Sequence, residues 1–362
     1  MMKINLLALA ALYVAIFIGC SPDDDVAPTN QADPNTPTVA ESQQFLNSNM
    51  NSIADCFATL NSGSAVQSFY QFSGLTDGNY TSNFWMQVLK DRAEDIVDFN
   101  QIYQNNNVEL SQLYGRFDWD SASETWSHTP GIDSVVINFP SASNLSINDC
   151  HFVLLNYQDE LHYVNNDPVY LPTDAEMSLE INNELVFSMS FIGAYSAIGF
   201  PTPINISTTL FIAPFNYSLS LSQASPTHFV VNGSLMSGGQ CTQTVALDIN
   251  FINNDFEQFE LREDLATVTG LVSFGDLNIH GSWDAHYFYS IDHPSANQIN
   301  NTLNLEVFNQ SVKIADLAYA DDNGSEIMMV YFSDGSSQHA SDYYTPAMNT
   351  VLDLLEPYFG PL

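Results

Sequence analysis

Positive charge is the scarcest thing in this chain. Of 362 residues only 6 are Lys or Arg, against 42 Asp or Glu, for a net charge of −36. A surface of that sign repels phosphate backbones, which argues against nucleic acid as a partner. It also disfavours electrostatic docking on anionic lipid. Charge of either sign is short: 13% of residues carry it, about half the usual share of roughly 25%. Asn, Ser, Thr and Gln must therefore cover the surface. The acidity reads first as solubility, in salty water that screens repulsion within about 10 Å.

Cysteine is nearly as scarce. The chain has Cys20, Cys56, Cys150 and Cys241. No two of the last three share metal-ligand spacing, which argues against a zinc site built on them. In an exported protein they hold one disulfide with one thiol left over, or stay as buried thiols, and the sequence does not say which pair. Catalytic signatures are missing too: no nucleophile elbow, no His-Glu-x-x-His, no phosphate-binding loop and no dinucleotide fingerprint. The run from Asp321 to Glu326 has the wrong offsets for a calcium loop and reads as a hairpin turn. Among 42 acidic residues no carboxylate couple stands out as a glycosidase pair. The 24 Phe, 17 Tyr and 4 Trp suit a sugar platform, but more often such rings are core and cross-strand pairs. The nearest thing to a metal constellation is His280, Asp284 and His286, which share a face by parity in a regular strand. Gly281 is a bend point that breaks this face, and His293, before a proline, reads as turn. The sequence therefore assigns no catalytic residue, no metal and no cofactor. The expectation is a non-enzymatic protein, with an unrecognised hydrolase as the last alternative.

Long apolar runs are absent except at the front. Ile4 to Ile18, broken only by Asn5, falls short of the roughly 20 residues of a membrane span. Lys3 precedes it and Gly19-Cys20 follow, the layout of a signal peptide cut before Cys20. At Ile18-Gly19-Cys20 the chain resembles the lipobox of bacterial lipoproteins, with Phe17 where that family prefers Leu. The resemblance implies a diacylglycerol thioether on Cys20, hence a membrane partner reached through lipid. Ser21, Pro22, Asp23, Asp24 and Asp25 are similar to the acidic signal that sends Bacteroidota lipoproteins to the outer face of the outer membrane. The expected organisation is signal peptide 1–19, tether 20–39 and a single β-rich domain 40–362. The tether has four prolines and no aromatic residue after Ser21, so it cannot build a core.

Within the domain, Leu46, Met50, Ile53, Phe57 and Leu60 fall on one helical face and predict a helix over 41–60. Phe84, Val88, Leu89, Ile96 and Phe99 predict a second over 81–100, so helical segments occupy about 41–100. Lys90, Arg92 and Arg116 read as a solvated face. From Tyr114 the period changes to two and stays so until a C-terminal helix over 341–359. The spacing predicts twelve to fifteen strands joined mostly by short turns, an antiparallel meander with one apolar and one polar face. Trp283 to Ile291 is included as a strand. The fold class is α+β, mainly β: one large curved antiparallel sheet or incomplete barrel, with helices from both ends of the chain packed on it. The alternative is a β-sandwich beside a small helical N-terminal domain.

Leu171-Pro172-Thr173, Gly199-Phe200-Pro201-Thr202 and Ala213-Pro214-Phe215 are similar to a pattern in uncharacterised Bacteroidota lipoproteins, which brings no functional residue beyond Cys20. The inferred architecture resembles the half-barrel of LolA-type lipoprotein carriers. Met177, Phe187, Met189, Phe191, Leu210, Phe215 and Tyr217 fall on the apolar face and are the candidate lining of an apolar chamber. The expected function is binding of an apolar ligand or a partner's hydrophobic segment. The alternative is a surface interaction protein with a packed core.

Overall fold

The computed structural model describes residues 37–76, 111, 114–164, 166–197, 199–236, 241–322, 325–347 and 349–350. The front of the chain, with Cys20 and the acidic tract, lies outside the described residues. So do the helix expected over 81–100 and the end of the C-terminal helix.

Two helices come first. α1 is Val39–Asn61. Thr38 starts it: its Oγ1 accepts the Glu41 amide at 3.3 Å, and the Glu41 carboxylate accepts the Thr38 amide at 2.8 Å. This reciprocal pair satisfies two amides that the first helical turn leaves without partners. α2 is Ser64–Thr76, which the apolar spacing did not announce. Between them Gly63 has no room for a side chain, since a Cβ there would stand 3.0 Å from both the Ala213 and Leu60 carbonyl oxygens.

Sixteen strands follow in one hydrogen-bonded sheet. In chain order they are β1 Gly115–Asp120, β2 Thr125–Thr129, β3 Val135–Phe139, β4 Cys150–Val164, β5 Asp167–Ile181, β6 Glu184–Tyr195, β7 Pro203–Ile212 and β8 Phe215–Ser225. Then come β9 His228–Met236, β10 Gln243–Phe251, β11 Leu265–Phe274, β12 Leu277–Asp284, β13 Leu303–Asn309, β14 Val312–Asp322, β15 Ser325–Phe332 and β16 Ser337–His339. Three short helices interrupt the second half: α3 Leu261–Asp264, α4 Ala285–Tyr289 and α5 Ala296–Thr302. Residues 341–347 and 349–350 are helical. Spatial order follows chain order from β16 to β3 and ends in β1 and β2, so the sheet is unclosed. The expectation of one large antiparallel sheet with helices from both ends is met, and the strands do not divide into the two sheets of a sandwich.

Three expectations need correction. The meander is not wholly antiparallel, because β1 inserts between β2 and β3 and pairs with β3 in parallel. The strand expected from Trp283 to Ile291 stops at Asp284, whose carboxylate accepts the Tyr287 amide and starts α4. Gly281 does not bend the chain; it lies within β12, paired with Gly270 on one side and Leu305 on the other. Leu155 and Leu161 lie on one 15-residue strand, β4, which runs across a register irregularity near Asn156, a residue with φ 49°. Turn chemistry is as the sequence implies: Asn182 and Asn183 both take positive φ between β5 and β6, a backbone that Asn tolerates better than most residues.

Contacts group the described residues into two compact units, one from Thr59 to Ser220 and one joining the residues before Thr59 to those after Ser220. In the first, α2 lies on the apolar side of the sheet. Phe69 meets Phe187 edge-on at 5.0 Å, and Phe72 meets Phe139 at 5.2 Å and Trp126 at 6.0 Å. Ala65 and Ser68, one turn before them, are buried. In the second unit Leu46 joins Leu277, Leu305, Val307, Ile314, Val330 and Phe332 in one core. α5 is held there by Asn300, whose amide donates to the Tyr319 carbonyl at 2.9 Å and accepts the Tyr319 amide at 2.7 Å. Tyr343 and Ala347 of the C-terminal helical segment are buried as well.

Of the cysteine alternatives, the structure takes Cys56–Cys241, which ties α1 to the start of β10 across 185 residues, and leaves Cys150 free and buried. A link over so long a loop removes much conformational freedom from the unfolded chain. Replacing Cys56 and Cys241 together by Ser is expected to lower the unfolding free energy by about 2–4 kcal/mol, read as a lower guanidinium midpoint. The same midpoint for both proteins would show that the bridge does not form.

Candidate functional site

Two places gather candidate side chains, one on each face of the first unit's sheet. The apolar one is the predicted chamber lining. Pairing across β5, β6 and β7 sets these residues in rows. Leu179, Phe187 and Ile212 form one row, Met177, Met189 and Leu210 the next, and Ala175, Phe191 and Thr208 a third. Phe187 and Phe191 are buried, as are Leu179 and Ala175. Met177, Met189 and Leu210 are only half-buried although they lie between those rows. On β8, Phe215 is buried and Tyr217 half-buried. The structure thus brings the predicted lining residues of β5, β6 and β7 side by side. Leu185, which continues the alternation in sequence, leaves the face. A bulge at Val186 pairs Leu185 with Glu180, so Val186 is buried and Leu185 is 46% exposed.

The polar place lies on the opposite, wet face, where β1, β3 and β4 adjoin. Phe117, Ile137 and Cys150 are buried, so by alternation their neighbours Arg116, Asp118, Asn138 and His151 face water. Register sets Asp118 beside Asn138, and Asn138 beside His151. The Asp118 carboxylate accepts Arg116 Nε at 3.0 Å and Asn138 Nδ2 at 2.7 Å. Asn138 Oδ1 lies 2.7 Å from His151 Nδ1. Asn148 Nδ2 donates to the Trp119 carbonyl at 2.9 Å. With Val136 these side chains line a cleft of about 350 Å³. Sequence reasoning took Arg116 only as part of a solvated face and missed the rest. Alternation marks each residue as wet-facing, but only the parallel β1–β3 register makes them neighbours.

The metal candidates do not converge. His280 faces the Phe308 ring at 4.7 Å, Asp284 caps α4, and His286 lies within α4. Among the described residues no cluster of three His, Cys, Asp or Glu could hold a metal ion. A comparison with protein-family models, curated proteins and solved structures finds no match for this chain.

Burial raises the pKa of both Cys150 and Glu326. Burial pushes the Cys150 thiol up to about 11, although a hydrogen bond with Ser68 works the other way. The thiol therefore stays protonated and unreactive at neutral pH. Glu326, 5% exposed on β15, has neither carboxylate oxygen hydrogen-bonded among the described residues. Burial, and secondarily the paired Asp321 carboxylate, raise its pKa. A carboxyl whose pKa is raised on folding destabilises the fold above its unfolded-state pKa, and the cost vanishes below it. Glu326→Gln should therefore raise the melting temperature at pH 7 and have little effect near pH 4. An equal effect at both would show that Glu326 titrates as an ordinary surface carboxyl.

Proposed function

We propose that this chain is a lipid-anchored protein of the outer cell envelope, that it acts by binding rather than by catalysis, and that its ligand is apolar. The observation that carries the reading is the half-buried row Met177, Met189 and Leu210, set between two rows with buried side chains. A packed face buries such side chains wholly, since each is worth roughly 1.5–3 kcal/mol on full burial. Thioether side chains repack around differently shaped guests. The guest is a hydrocarbon chain or a partner's apolar segment laid across β5, β6 and β7.

The lipobox-like residues Ile18, Gly19 and Cys20 support the anchor, and the Cys56–Cys241 bridge supports export, because such links persist in oxidising compartments. Surface exposure rests on Ser21, Asp23, Asp24 and Asp25. The competing reading, an interaction protein with a filled core, has one observation in its favour: Phe69 and Phe72 already pack on the same face.

Cys20→Ala is expected to release the protein from the membrane fraction, or to leave it unprocessed. Unchanged fractionation would remove the anchor from the proposal. For the apolar row, Leu210→Trp should abolish uptake of a fluorescent lipid probe with little change in melting temperature. A loss of about 1–3 kcal/mol from overpacking, with no probe bound by the unmodified protein, would favour the filled core.

A further inference from the structure

We infer that the cleft on the wet face is a second binding site, for a neutral polyhydroxylated ligand of the saccharide class. The inference starts from hydrogen-bond polarity. An ionised carboxylate only accepts, so Asp118 orients the Asn138 amide with Nδ2 toward itself, at 2.7 Å. That leaves Asn138 Oδ1 facing His151 Nδ1 at 2.7 Å. Because Oδ1 can only accept, His151 Nδ1 carries the proton, and in the neutral ring Nε2 is a lone-pair acceptor. Asp118 thus sets the tautomer of a histidine two strands away.

What remains unused defines the ligand. Arg116 spends only Nε on Asp118, so its two terminal nitrogens are donors without partners among the described residues. His151 Nε2 and Asn148 Oδ1 are acceptors without partners there. Donors and acceptors therefore line one cleft of about 350 Å³, a volume at the lower end of the roughly 300–1,000 Å³ of small-ligand sites. A hydroxyl both donates and accepts, so adjacent hydroxyls of a sugar can take from Arg116 and give to His151 and Asn148. An anion finds two acceptors and the Asp118 charge against it, within a chain of net charge −36. A cation meets the free end of Arg116. Val136 supplies the apolar patch that a sugar ring's C–H face requires.

The test uses the protein as purified from its own cells, in a detergent without a sugar headgroup. It is screened on an array of neutral, amino and acidic oligosaccharides, with hits measured by calorimetry. A neutral oligosaccharide is expected to bind. Arg116→Met should weaken it by about tenfold or more, the worth of a hydrogen bond to a charged group, and His151→Phe by about fivefold, that of a neutral one. His151→Gln, which keeps a donor and an acceptor, should retain most of the affinity. Melting temperatures should not change, since Arg116 and His151 are exposed. Retention of no neutral glycan would overturn the inference. So would a preference for acidic or amino sugars, or unchanged affinity in Arg116→Met and His151→Phe.

Discussion

An unclosed sheet of sixteen strands has one apolar face that water must not reach, and the rest of the structure follows from covering it. At roughly 25 cal/mol per Å² of apolar area, leaving even a few such strands wet would exceed the stability of a typical domain. The two compact units meet the demand differently. In one, α2 presents Ala65 and Ser68 so that the backbone comes close, and Phe69 and Phe72 so that rings fill the pleats. In the other, Leu46 of α1, Ile299 of α5 and Tyr343 near the C-terminus share one core with four strands, β12 to β15. The Met177–Met189–Leu210 row stays half-buried throughout, whereas the rows beside it each hold two buried side chains.

Strand alternation was legible because side chains on a strand alternate between faces, so composition reports burial directly. It put Met177, Phe187, Met189, Phe191 and Leu210 on the apolar face, where pairing sets them in adjacent rows. It failed where one residue changes the parity, as at Val186, and where a strand passes through an irregularity, as near Asn156. It also failed at Asp284, where a side chain bonds to the backbone ahead and competes with continued pairing. α2 was hidden because its buried stripe contains Ala65 and Ser68, which carry little hydropathy.

The wet-face cleft was illegible for a different reason. Arg116, Asp118, Asn138 and His151 are each ordinary surface residues in their own strands. Their meaning lies in the order of the strands, and a parallel pair next to a hairpin leaves no mark on local periodicity. The disulfide was equally closed to reading: three cysteines allow three single bridges, and only the placement of α1 against the start of β10 selects Cys56 with Cys241.

An unclosed sheet also has two rims of unpaired backbone, a template on which another chain can add itself as a further strand. Here the rim strands are the five residues of β2 and the three of β16. A neighbouring chain would find little backbone to extend. An approaching chain therefore meets mainly side chains on the two faces, where shape and hydrogen-bond polarity discriminate, rather than main-chain pairing, which accepts almost any sequence.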